Sequence, residues 1–290
     1  METLPNNFLA LEPEFSDYAS ARFAILPIPY DATASFRGGS RHGPQAIITA
    51  SQQLELFDEE LGGEYHRAGI ATLDPLEANV AGPEAMQADV YAAARKVVRD
   101  GKFLLGLGGE HGITSGLVRA VARRHRKLSI LQIDAHLDLR DSYQQSRHSH
   151  AAVMRRVQPL VETIVPVGIR SVSLEETRFL KKSGIRPLTA RECFDSDDWV
   201  DRVLDALGSK VYVTVDIDGF DPAYAPGTGT PEPGGLDWYQ VISLLRLVAA
   251  EKRIVGADVV EVAPISGQTV TEYLAARVAY KIMCYAQAGE

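Results

Sequence analysis

The stretch Leu128-Ser-Ile-Leu-Gln-Ile-Asp-Ala-His-Leu-Asp138 sets the reading of the chain. Its first six residues, Leu128–Ile133, read as a short, largely apolar β-strand, of the kind covered on both faces. Asp134, His136 and Asp138 then follow at alternate positions. If the chain stays extended, these three side chains share one face. Burying three unpaired polar groups at a strand end costs several kcal/mol each, and a bound cation removes that cost.

Working outward, further strands are expected at Phe23–Ile28, Ile70–Leu73, Phe103–Leu107, Thr163–Val167, Val211–Val215 and Ile254–Asp258. Helical patterns lie between them, at Glu84–Arg99, Ser115–Arg124, Ala151–Leu160, Leu174–Lys182, Trp199–Leu207 and Trp238–Ala250. In the first, Met86, Val90, Ala94 and Val97 form one apolar stripe. Alternation of this kind predicts an α/β fold built of βα units around a mainly parallel sheet, with right-handed crossovers. Ligands of such sheets sit beyond the carboxyl ends of the strands. The residues that follow each strand are therefore the informative ones.

Two further strand ends carry similar chemistry. Val211–Val215 runs into Asp216-Ile217-Asp218, then Asp221-Pro222 and a loop rich in glycine and proline, residues 225–235. Phe103–Leu107 runs into Gly108-Gly109-Glu110-His111. A single DxD usually marks a cap or a turn, and a single histidine after Gly-Gly can cap a helix. Three such motifs, each just past a strand, point instead to one metal site. Carboxylate oxygens with a few imidazoles suit Mn²⁺ better than a thiolate-type Zn²⁺ site. Four aspartates and two histidines exceed one ion's needs unless carboxylates bridge. A pair of ions roughly 3.5–4 Å apart uses all six and activates a water between them.

Bulk composition narrows the class. The 290 residues are 46% hydrophobic and 23% charged, with a net charge of -8. That balance fits a soluble globular protein, gives no basic surface for nucleic acid, and suits a small cationic ligand. Cys193 and Cys284 are far apart, without a CxxC partner, and read as reduced core thiols of a cytoplasmic protein. The start METLPNNFLALEPEF does not resemble a signal peptide, and no segment reaches the roughly 20 apolar residues of a membrane span.

The blocks Gly108-Gly-Glu-His111, Asp134-Ala-His-Leu-Asp138 and Asp216-Ile-Asp-Gly-Phe-Asp-Pro222, followed by Ala225-Pro-Gly-Thr-Gly-Thr-Pro231, resemble the signature blocks of the ureohydrolases, the arginase/agmatinase family. The resemblance runs from about Pro27 to the C-terminus and implies a three-layer αβα, arginase-like fold over a single domain, with residues 1–20 as an N-terminal extension. It implies one Mn²⁺ held by His111, Asp134, Asp138 and Asp216, and a second held by Asp134, His136, Asp216 and Asp218, with Ni²⁺ or Co²⁺ as possible substitutes. A water activated between the ions would attack a guanidinium carbon and release urea and an amine. Glu261, in Asp258-Val-Val-Glu-Val-Ala-Pro264, matches the carboxylate that grips the guanidinium, which suits the bidentate pairing of these two groups. His150, in Ser149-His-Ala-Ala-Val-Met-Arg155, matches the proton-carrying histidine, with His148 as its neighbour and rival. Asp138 joins His150 and Glu261 in the expected catalytic set.

The family's pattern is not followed everywhere: position 110 is Glu where many members have Asp, and position 151 is Ala where many have Gly. Glu110 is expected to orient a ligand or to bind at the helix start. The blocks Leu139-Arg-Asp-Ser-Tyr143, Tyr30-Asp-Ala-Thr-Ala-Ser-Phe-Arg37 and Gly168-Ile-Arg-Ser171 resemble agmatinases more than arginases. Agmatine, yielding putrescine, is thus the expected substrate, with Asp141 a candidate for its distal amine. Arg140 or Arg147 would instead suit a substrate carboxylate, as in guanidinobutyrate, guanidinopropionate or arginine; formiminoglutamate and guanidine complete the alternatives. A non-catalytic relative would have lost metal ligands, and all six are present. A deacetylase on a similar fold uses one metal and lacks the second DxD strand end. Assembly as a homo-trimer or homo-hexamer is what the resemblance implies.

Overall fold

A computed structural model of the protein describes residues 5–289. Eight strands form one sheet: β1 Phe23–Ile28, β2 Ile70–Thr72, β3 Phe103–Gly108, β4 Leu128–Ile133, β5 Thr163–Ile169, β6 Leu188–Thr189, β7 Lys210–Asp216 and β8 Arg253–Val260. Their order is β2-β1-β3-β8-β7-β4-β5-β6, and every pairing is parallel. The sheet is thus wholly parallel, not mainly so.

Helices cover both faces and make three layers. Leu105, Leu107, Val213, Val215 and Val259 point into one apolar layer, shared with residues of the helices Gly43–Ser51, Trp238–Glu251 and Val270–Ala288. Leu104, Ile130, Ile164 and Tyr212 point into the other, against Pro83–Arg99, Thr114–Arg124 and Val153–Val157. Successive residues of each strand alternate between the two layers, which is why the strands read as nearly unbroken apolar runs.

All seven expected strands are present, Phe23–Ile28 and Leu128–Ile133 with the expected bounds and the other five with ends shifted by a residue or two, and β6 is an addition. The expected helix Ala151–Leu160 is instead a short helix, Val153–Val157, between two 3-10 turns. Pro159 lacks the amide that would continue the helix through this point. Of the expected extension 1–20, residues 1–4 lie outside the described residues. Phe8, Leu9 and Leu11 are buried in the first layer, and the amides of Phe8 and Leu9 donate to Thr72 Oγ1 (3.0 Å) and Ser51 Oγ (2.8 Å).

Candidate metal centre

Four consecutive strands, β3, β8, β7 and β4, bring their carboxyl ends together. His111 opens the turn after β3, Asp134 follows β4, Asp216 ends β7 and Glu261 follows β8. Of the three strands expected to carry the site, β4 and β7 are paired directly, while β8 lies between β7 and β3 and adds Glu261. Alternation along an extended strand does not deliver the remaining residues either. β4 stops at Ile133, and Asp138 reaches the site from a left-handed backbone conformation (φ 52°). Asp218 sits in a 3-10 turn, where its amide donates to Asp216 Oδ1 (3.0 Å). Non-glycine residues rarely adopt positive φ, and Asp138 shares the feature with Glu261 (φ 64°).

Five of the six side chains form two groups that share Asp134, and Asp138 lies beside His111 of the first. Nδ1 of His111 lies 3.0 Å from Asp138 Oδ2, 3.2 Å from Asp134 Oδ2 and 3.3 Å from Asp216 Oδ2. Nδ1 of His136 lies 3.1 Å from Asp218 Oδ2 and 3.7 Å from Asp134 Oδ1. His111, Asp134 and Asp216 make one set of converging ligand atoms, and Asp134, His136 and Asp218 another.

Whether these residues suit a cation is decided by the far side of His111. Its Nε2 is 2.9 Å from Thr214 Oγ1, and that hydroxyl donates to Asp258 Oδ1 (2.5 Å), whose other oxygen accepts from Tyr212 OH (2.6 Å). Thr214 has one proton and gives it to Asp258, so it accepts from Nε2–H. In the neutral imidazole the lone pair then lies on Nδ1, a fully buried atom without a hydrogen-bond partner, facing three carboxylates. A buried acceptor among acceptors is costly alone and fitting around a cation. Hard oxygens with two imidazoles match a Mn²⁺-type ion.

Electrostatics agree. Burial pushes Asp138 up to about 7, helped by the Asp134 charge. Burial, then Asp218 and Asp134, hold Asp216 well above its ordinary value. Burial alone would also raise Asp134, but its bonds to His111 and His136 prevail and keep it low. Burial disfavours charge on the histidines, yet the surrounding aspartates raise His111 well above its ordinary value and His136 to about 12. Positive charge is thus strongly favoured at the centre of the cluster.

A cavity of about 250 Å³ opens over this cluster, lined by His136, Asp138, Asp216, Glu261, His150, Tyr143 and Arg140 among others. Glu261 spends Oε1 on the His111 amide (2.6 Å), and burial raises its carboxyl to about 8. Of the two neighbouring histidines, His150 lines the cavity and His148 does not. His150 Nε2 is 3.2 Å from Ser35 Oγ, and the Tyr143 ring meets the imidazole edge-on at 6.1 Å. Burial holds His150 down to about 4.

Asp141 is not at the cavity: it is exposed and pairs with Arg156 (2.8 Å) and Arg147 (3.3 Å). Arg147 does not line the cavity either. Arg140 does line the cavity, its guanidinium 5.0 Å from the centre of the Tyr143 ring. Glu110 neither caps a helix nor touches an expected ligand's side chain; its two oxygens accept from the amide (2.6 Å) and hydroxyl (2.8 Å) of Thr33.

Several residues that shape the site received no role from the sequence, although Thr230 and Arg170 lie within blocks quoted above. Gln132 donates to Asp134 Oδ2 (2.8 Å), and Thr230 donates to Asp218 Oδ2 (3.1 Å). Arg170 donates to the carbonyls of Gly168, Asp218, Gly219, Phe220 and Glu232 and so ties down the loop that carries Asp218 and Thr230. The signal for some of them was polarity inside a strand: Gln132, Thr214 and Asp258 interrupt apolar runs, and the last two are partners across β7 and β8.

Known proteins resemble this chain over most of its length. The chain is 42% identical over 288 residues to a protein of Synechocystis sp. named N(1)-aminopropylagmatine ureohydrolase, covering 97% of this chain and 94% of that one. It is 39% identical to a protein of the same name from Thermus thermophilus, over 91% of this chain and 89% of the other. The solved structure of the agmatine ureohydrolase of Thermoplasma volcanium superposes with a TM-score of 0.88 at 32% identity, covering 98% of this chain and 94% of that one. The sequence profile of the Arginase family matches residues 21–285, so this chain, with its parallel sheet and its aspartate- and histidine-rich strand ends, belongs to the arginase family.

Proposed function

We propose that this protein hydrolyses the guanidino group at the end of a cationic aminoalkyl chain, either agmatine or agmatine extended by an aminopropyl arm. The observation that carries the chemistry is the bare Nδ1 of His111 among three carboxylates, with Glu261, which accepts from the His111 amide, in the wall of the cavity over the cluster. The choice of chain is supported by the names of the relatives, two of which act on aminopropylagmatine by those names and one on agmatine.

In this reading His111, Asp134, Asp138 and Asp216 hold one Mn²⁺, and Asp134, His136, Asp216 and Asp218 hold the other. When bound, such a pair supplies the charge that makes a water acidic enough to act as a nucleophile near neutral pH. Glu261 has one oxygen on the His111 amide and the other open; that open oxygen accepts from the substrate guanidinium and turns its carbon toward the centre. His150 is neutral at rest, the form able to take a proton. It removes the proton of the attacking water as the carbon–oxygen bond forms. It then passes that proton to the amine nitrogen as the carbon–nitrogen bond breaks, and the water's second proton, left on the new carbonyl oxygen, follows to the freed amine. One guanidinium and one water thus give urea and an alkylammonium. Agmatine yields putrescine, and the aminopropyl derivative yields the triamine with three- and four-carbon spacers.

Arg140 in the cavity wall favours a second reading, a guanidino acid whose carboxylate pairs with it. A urea-release assay under Mn²⁺, with Ni²⁺ and Co²⁺ as alternatives, separates the two. Aminopropylagmatine or agmatine should exceed arginine, guanidinobutyrate and guanidinopropionate in kcat/KM by on the order of 10⁴-fold, the scale of discrimination when a site's buried polar or charged groups are left unmatched. Faster turnover of a guanidino acid selects the second reading, and absence of urea from every compound overturns both. A cytoplasmic setting and assembly into a homo-trimer or homo-hexamer are proposed with this function, the latter measured by light scattering.

A further inference from the structure

Glu110 is 1% exposed, carries no role in the chemistry above, and is flanked by two crowded glycines. A Cβ on Gly109 would lie 2.1 Å from the Tyr30 carbonyl oxygen. A Cβ on Gly112 would lie 2.8 Å from Glu110 Oε1 and 3.5 Å from the His150 amide nitrogen. The turn after β3 is therefore pressed against two other segments, the loop that begins at Tyr30 and the turn that begins at His150. Thr33 joins all three. Its amide donates to Glu110 Oε2 (2.6 Å), its hydroxyl lies 2.8 Å from Glu110 Oε1, and the same hydroxyl oxygen accepts from the His150 amide (3.0 Å). Two of these three contacts have backbone N–H donors, so their direction is fixed whatever the carboxyl's charge.

The ring of His150 depends on the same loop. Its Nδ1 is 3.4 Å from Thr33 Oγ1 and from Ser149 Oγ, and its Nε2 is 3.2 Å from Ser35 Oγ. Among the described residues, no carboxylate holds the imidazole directly. The loop itself is closed at its far end by Asp31, which accepts from the amides of Gly39 (2.9 Å) and Arg41 (3.2 Å). From this geometry we infer that Glu110 is a positioning residue for His150 and acts through Thr33. It couples the turn that bears His111 to the group that carries the proton. A misplaced proton carrier costs rate in the chemical step, because about an ångström of displacement can be worth about a hundredfold.

The inference rests on the reading of His150 as proton carrier, and the test separates the two. Steady-state kinetics are measured on the Mn²⁺-loaded protein, with whichever of agmatine and aminopropylagmatine releases urea faster. Thr33→Val keeps the shape and the amide but removes the hydroxyl. It should lower kcat by about tenfold or more while KM stays within about twofold and the metal content is unchanged. Thr33→Ser should recover most of that loss. Glu110→Ala should repeat the Thr33→Val pattern, with its thermal midpoint read first to establish that it folds. The double variant Thr33→Val/His150→Asn should be no slower than His150→Asn alone, because Thr33 acts only through that ring. The inference is overturned if His150→Asn is slow while Thr33→Val retains full kcat, if the two losses multiply, or if Thr33→Val loses metal. If His150→Asn itself keeps full kcat, the proton-carrier reading fails and takes the inference with it.

Discussion

Asp134 has no spare oxygen: Oδ1 accepts from the His136 amide (2.6 Å), Oδ2 accepts from Gln132 (2.8 Å), and both face an imidazole. A residue shared by both ligand groups should matter more than one that touches neither ion. Asp134→Asn and Asp216→Asn are expected to bind fewer than two ions per chain by elemental analysis and to lose on the order of 10⁴-fold in kcat/KM, the scale of several kcal/mol of charge stabilisation. His150→Asn is expected to keep both ions and lose about a hundredfold. Equal losses, or full metal content in the aspartate variants, would contradict the assignment. Residues of this kind were legible because their chemistry is dense in the chain, with Asp134, His136 and Asp138 within five positions. Thr33 and Arg170 were not legible as site residues: each acts through backbone groups or across loops, and neither pairing leaves a spacing in the sequence.

At the level of elements, the helix Val270–Ala288 shows what periodicity misses. Its residues from Val278 to Ala286 are all buried, so no polar face alternates with an apolar one. The buried run includes Lys281, whose Nζ lies 2.9 Å from Asp58 Oδ2, 3.0 Å from Glu60 Oε2 and 3.3 Å from Glu59 Oε1. The Lys281 and Asp58 side chains are 2% and 1% exposed. Removing one partner leaves the other as an uncompensated buried charge, so Lys281→Met should destabilise the fold by about 3–5 kcal/mol in denaturant unfolding. A change under about 1 kcal/mol would mean that Asp58 is hydrated or protonated without its lysine. The strands, in contrast, were readable because burial on both faces leaves a simple apolar signature. The helix Gly43–Ser51, only nine residues long and opened by Gly43-Pro44, offers too short a stripe to declare itself.

For the molecule as a whole, the order of strands is what the chain could not announce. Parallel pairing joins residues far apart in sequence, and nothing local says that β8 enters between β3 and β7. That insertion is what brings Glu261 and Asp258 to the centre. A pairing of shorter range, within the loop after β1, contributes to stability in acid. Burial would raise Asp31, but its bonds to Gly39 and Arg41 hold its carboxyl below the ordinary value, so its contribution is present above about pH 4 and is lost as pH falls through the lowered value. The stability gap between the wild-type protein and Asp31→Asn, measured with chelator present, should be constant from pH 5 to 8 and close as the solution is taken below about pH 4. A gap that widens in acid would reverse the sign assigned to this group.

Metal binding should be the largest adjustable term in that balance. The four strand ends that converge at the centre carry negative charge that only the folded chain concentrates, so a divalent cation binds the folded state far better than the unfolded one. At a hundred times its dissociation constant, one such ion stabilises a fold by about 2.7 kcal/mol, and two independent ions by about twice that. For a chain longer than about 200 residues each kcal/mol moves the thermal midpoint by roughly 2 °C. Saturating Mn²⁺ should therefore raise the midpoint of the chelated protein by about 10 °C, and Asp134→Asn should abolish most of the rise. Ca²⁺, which takes oxygen ligands and demands more of them, should give a smaller shift because each group here includes an imidazole. Equal shifts with Mn²⁺ and Ca²⁺, or a shift that survives in Asp134→Asn, would place the ions elsewhere on this acidic chain.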